Sequence, residues 1–128
     1  MIKKKITGIL PITFMLCSAL MAQDAAVVEH LLENERYESA ESILEKKIST
    51  EGVMPDINYL LVKAYLEQDK IDEVKDFISK YKLNASPDAD PLDRITYARY
   101  LLQNGDKTAA VAIFTSILEN KKNRKNPS

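Results

Sequence analysis

Cysteine occurs once in these 128 residues, at position 17, and tryptophan not at all; histidine is present only as His30. Beyond residue 17 there is consequently no thiol for a disulfide, a Cys-based zinc site or a thiolate nucleophile. A single imidazole cannot form a multi-histidine metal site or supply more than one His-dependent catalytic role. Glycine is nearly as scarce, with three residues, and proline contributes five. That scarcity leaves no Gly-rich phosphate loop and no Gly-x-Ser-x-Gly elbow. Paired catalytic carboxylates with an accompanying base are absent as well. The chain is read as non-catalytic, with no cofactor and no metal.

Positive charge is also missing from most of the chain. Residues 23–120 contain 11 Lys and Arg against 19 Asp and Glu, a balance of −8 within an overall formal charge of −1. Cations are concentrated at the two ends, as Lys3–Lys5 and as Lys121, Lys122, Arg124 and Lys125. An acidic body lacks the clustered cations that displace counterions from phosphates, so nucleic acid is not an expected partner.

The remaining residues fall into distinct segments. "MIKKK" leads into the uncharged apolar run "ITGILPITFMLCSAL", followed by small Ala22 and an acidic chain. This order is that of a secretory signal peptide over 1–22, cleaved after Ala22, which implies an exported, periplasmic or secreted protein. The alternative is an uncleaved anchor over residues 6–22, near the ~17-residue lower limit of a spanning helix. Cys17 follows the bulky "FML", whereas lipidation favours a small residue immediately before the cysteine.

From residue 24 onward helical periodicity dominates. In "INYLLVKAYL" and "IDEVKDFISKY" apolar residues recur at three- and four-residue spacing, and the short "EQDK" between them requires a tight turn. Equivalent pairs are expected at 24–34 with 36–48 and at 91–103 with 106–119. "HLLENERYESA" at 30–40 returns 34 residues later as "AYLEQDKIDEV" and again after 36 as "YLLQNGDKTAA". A two-helix unit of this period resembles the tetratricopeptide repeat family. The expectation is an all-α, six-helix, three-repeat solenoid over 23–120, followed by a basic disordered tail at 121–128.

The family's usual aromatic near the start of each first helix is replaced here by Asp24, Asn58 and Arg94. The resemblance implies that first helices line a concave groove that takes a protein or peptide. Its lining would be Ala25, Glu29 and Glu33, then Tyr59, Lys63 and Glu67, then Ile95, Arg99 and Gln103. Tyr59, Lys63, Ile95, Arg99 and Glu29 are the expected partner contacts. Lys63 and Arg99 offer cations, but the Asn partners of the family's carboxylate clamp are missing.

Three further features have structural explanations. Asp88, Asp90 and Asp93 in "DADPLD" lack the glycine and terminal glutamate of an EF-hand loop, so a turn and helix cap are expected. "NAS" at Asn84 is read as a chance glycosylation match. His30 is read as a partly exposed helix residue. The final helix raises a different question, because Val111, Ala112 and Leu118 stand where earlier repeats have Glu41-Ser42, Lys75-Asp76 and Lys82. A terminal repeat should be polar outside, so these residues are expected to meet a partner, a second copy or a retained leader; the alternative is that Val111 and Leu118 turn inward.

Overall fold

A computed structural model describes the backbone of residues 26–125 and the side chains of residues 26–121. The expected leader at 1–22 and the last three residues lie outside the described part. Six helices and no strands are present among the described residues. They are α1 (26–33), α2 (Tyr37–Glu51), α3 (Pro55–Glu67), α4 (Ile71–Tyr81), α5 (Pro91–Gln103) and α6 (Lys107–Lys125). The chain divides into two units, one ending at Arg36 and one beginning at Tyr37.

In the first unit, α1 buries Val28 and Leu32, four residues apart on one helical face. The second unit contains α2–α6. There α3 packs against α2, α4 and α5, and α5 packs against α6. The fold is all-α and built from helical hairpins.

Burial follows the repeat. Val28, Val62 and Thr96, each 34 residues from the next, are all buried, and so are Leu32, Leu66 and Tyr100. Ala40, Val74 and Ala110 in the second helices are all at 0% exposure. Val74 fits where Ala is usual, so the site tolerates a β-branched chain without opening. Thr96 buries a hydroxyl, which donates to the Leu92 carbonyl at 2.8 Å and is thereby satisfied.

Local chemistry sets the helix ends. Asp90 accepts from the Leu92 amide at 2.8 Å and caps α5, with Pro91 in the first turn. Asn84 makes an Asx turn, its Oδ1 accepting from the Ser86 amide at 2.9 Å. At the end of α2, Ser49 and Thr50 donate to the Lys46 carbonyl, and the helix stops only at Gly52, with φ 85°.

Two extents differ from expectation. Helix α2 runs three residues beyond 48. Helix α6 continues through residues 121–125, where a disordered tail is expected. Lys and Arg are good helix formers, and cations in a last turn oppose the negative end of the helix dipole. A basic sequence at this position therefore prolongs the helix instead of ending it.

Candidate protein-binding surfaces

The face shared by α3 and α5 assembles around Tyr59. Arg99 Nη1 donates to the Tyr59 hydroxyl at 2.8 Å, and the guanidinium carbon lies 5.2 Å from the ring centroid. One turn further along α5, Gln103 Nε2 donates to the Leu66 carbonyl at 2.8 Å. Arg99 and Gln103 thus tie α5 to α3 at two successive turns. Lys63 follows Tyr59 by four residues and Ile95 precedes Arg99 by four, both half-buried. The pairing holds the ring and the guanidinium before any partner arrives, which lowers the entropy lost on binding. Glu29 is exposed on α1, in the first unit.

On the terminal helix, Val111 and Leu118 are 50% and 63% exposed, and Ala112 is exposed too. They do not turn inward. Leu102, at 49% exposure, adds an apolar residue at the end of α5.

A second concavity was not anticipated from the sequence. Between α2 and α4, above α3, lies a cavity of about 440 Å³ with Ile48, Leu61, Tyr65, Phe77 and Tyr81 in its lining. Periodicity assigns these apolar residues to a buried face, but it does not reveal whether α2 and α4 close over α3. The sequence signal available was the Phe77–Tyr81 pair at i, i+4, whose rings lie 4.8 Å apart and tilted by 57°.

Polar ties hold α2 to the end of α3. The Tyr65 hydroxyl donates to Glu45 Oε1 at 2.6 Å. Burial and this bond to a carboxylate together push the tyrosine hydroxyl well above its usual pKa, with the Glu41 and Glu73 charges adding to the effect. Glu41 accepts from Gln68 and pairs with Lys70 at 2.8 Å. That bond raises the Lys70 pKa despite opposing desolvation.

A third set of polar groups lies at the start of α5, where the family's aromatic is absent. Asn58 and Arg94 are each only 4% exposed. Asn58 Nδ2 donates to Asp93 at 3.1 Å, and Arg94 Nη2 donates to Ser116 at 3.0 Å. Asn58 Oδ1 and Arg94 Nε have no hydrogen-bond partner. Burial raises the Asp93 pKa; the Asn58 bond opposes the rise and the Asp90 charge adds to it. Arg94 and Ile95 also line a cavity of about 540 Å³ bounded by residues 87–91 and the end of α6. Of the three aspartates of "DADPLD", Asp90 caps α5 and Asp93 accepts from Asn58. His30 is exposed, and the Asn34 amide donates to its backbone carbonyl at 2.7 Å.

Paired helices, a 34-residue burial register and a recurrent turn point to one architecture, and residues 31–93 match the family model for the tetratricopeptide repeat. Residues 31–93 carry the tetratricopeptide repeat. Neither a curated protein nor a solved structure matches it. Tetratricopeptide repeats generally mediate protein–protein interaction and are typically non-catalytic. In that setting, the Tyr59–Arg99 pair on two successive first helices is the candidate contact surface for a protein partner.

Proposed function

We propose that this chain is an exported, non-catalytic repeat module that binds a protein or peptide, acting as an adaptor or assembly factor of the cell envelope. The observation that carries the reading is the Tyr59–Arg99 pair, with Lys63 one turn away on the same tetratricopeptide first helix. A preorganised aromatic supplies contact area, while the neighbouring cations select an acidic or carboxylate-bearing segment. Export rests on the order of residues 1–22: cations, an uncharged apolar run, then a small residue. Among the described residues no helix is long and apolar enough to cross a membrane.

Affinity purification from the cell envelope supplies the partner, and calorimetry supplies the test. Tyr59→Ala and Lys63→Glu should each weaken binding about tenfold or more, equivalent to ~1.4 kcal/mol, with helix content unchanged. Unchanged affinity in both variants removes this face from consideration. N-terminal sequencing of the mature protein should begin at Gln23 or a neighbouring residue. Intact Met1 in the membrane fraction would replace export with anchoring through residues 6–22.

A second reading is favoured by the exposure of Val111 and Leu118. In it the chain is a self-associating structural or membrane-tethered scaffold, joined to a second copy through α6. Light scattering on the wild type and on Val111→Lys/Leu118→Lys separates the two: a dimer that becomes a monomer supports the scaffold, and a monomer throughout removes it.

A further inference from the structure

The geometry points to a second docking site, the groove between α2 and α4, whose occupant is a cationic protein segment carrying a bulky apolar side chain. This groove is distinct from the α3/α5 face. At about 100° per residue, Leu61 and Tyr65 are each about 200° around α3 from Lys63. One helix therefore serves two surfaces, and nothing in the proposed function requires the second.

Apolar content explains the floor. Leu61 is 1% exposed, while Ile48, Tyr65 and Phe77 are 7–8% exposed, and all four line a cavity of about 440 Å³. That volume lies within the range of ordinary ligand sites, ~300–1,000 Å³. It accommodates an aliphatic or aromatic side chain between α2 and α4, and α4 already presents Phe77 and Tyr81 in mutual contact.

Charge selects the occupant. Glu45 on α2 faces Glu73 and Asp76 on α4 across the lining, against the single cation Lys80. Glu45 is partly engaged by the Tyr65 hydroxyl. Glu73 and Asp76 are exposed and make no ion pair with the described residues. Lys80 itself shows what the groove's aromatic rim accepts, since its ammonium lies 5.2 Å from the Tyr81 ring centroid. A Lys or Arg from a partner meets two unpaired carboxylates and an aromatic face, while a neighbouring Leu or Phe fills the apolar floor. An acidic segment meets repulsion from three carboxylates. The body's balance of −8 over residues 23–120 steers the same choice at longer range.

The probe is the peptide Gly-Lys-Leu-Arg-Phe-Lys-Gly-amide with an N-terminal fluorescein, compared with a counterpart carrying Glu at the three basic positions. Anisotropy is read against full-length mature protein at low salt. The basic peptide should bind at least tenfold tighter than the acidic one, and raising the salt should weaken it. Glu73→Gln/Asp76→Asn should weaken it at least tenfold, and Ser49→Trp, which fills the cavity from α2, should block it. Tyr59→Ala should leave it unchanged, so this site and the α3/α5 face fail independently. Circular dichroism verifies that each variant is folded. The proposal is overturned by no binding of the basic peptide, by equal binding of both peptides, or by indifference to the Glu73/Asp76 variant. It is also overturned if light scattering finds a dimer that Glu73→Gln/Asp76→Asn dissociates, because the occupant would then be a second copy.

Discussion

Arg94 sits at 4% exposure with no carboxylate at ion-pair distance among the described residues. Its Nη2 donates to Ser116, and its Nε has no hydrogen-bond partner. A buried guanidinium so poorly compensated costs stability relative to an apolar side chain of similar length. Arg94→Met should therefore raise the urea midpoint. Ser116→Ala should lower stability by ~1–3 kcal/mol, because it removes the guanidinium's one hydrogen-bond partner among the described residues. The sequence shows that the expected aromatic is missing at this position. That its replacement is buried, not solvated, follows from the packing of α5 against α6, which no residue spacing encodes.

Tyr65 supplies a pH test. Its hydroxyl pKa is raised in the folded protein, so the unfolded chain, with an ordinary tyrosine near pKa ~10, loses this proton first as pH rises. Stability is unaffected by the group below that pH and declines above it, with a slope no steeper than ~1.4 kcal/mol per pH unit. Tyr65→Phe should cost about 1 kcal/mol at neutral pH through loss of the Glu45 bond. It should also flatten the alkaline limb of the stability curve. Urea titrations at several pH values between neutral and strongly alkaline check both expectations; parallel alkaline limbs would contradict the assignment.

At the level of the helical elements, one turn is used three times. Glu35, Asp69 and Gly105 have φ of 58°, 56° and 93°. The following amides, Arg36, Lys70 and Asp106, donate to carbonyls five residues back at 2.8–2.9 Å, namely those of Leu31, Tyr65 and Leu101. Each is a left-handed cap of Schellman type ending a first helix. Only the third uses glycine, so the other two bear the cost of a Cβ in the left-handed region, ~1–2 kcal/mol. Gly105→Ala should destabilise by about 1 kcal/mol through backbone strain alone, since an added Cβ meets nothing within 4 Å. Glu35→Gly should stabilise by a few tenths to ~1 kcal/mol, as glycine's larger unfolded-state entropy offsets part of the gain. Thermal melts of the two variants should shift in opposite directions.

These elements were the most legible part of the sequence. "NER", "QDK" and "NGD" recur at the register of the turns, and apolar spacing locates the helices they join. The end of α6 was less legible, because a run of Lys and Arg reads equally as a solvated helix end or a tail. Pairing across helices was least legible. Tyr59 and Arg99 are 40 residues apart and both look solvent-facing by periodicity, yet their side chains meet. The groove over Leu61 likewise depends on the separation of α2 and α4, which hydrophobic pattern leaves undetermined.

At the scale of the whole molecule, the chain is an acidic helical-repeat protein, and we propose that its face around Tyr59, Lys63 and Arg99 receives a protein. The second groove and the exposed end of α6 add surfaces without replacing that one. Site-specific photo-crosslinking in the producing cell tests this most directly. A photoreactive residue in place of Lys63 should give a discrete covalent adduct with another protein, and Tyr59→Ala in the same chain should diminish it strongly. No adduct from position 63, or an adduct undiminished by Tyr59→Ala, would contradict the assignment.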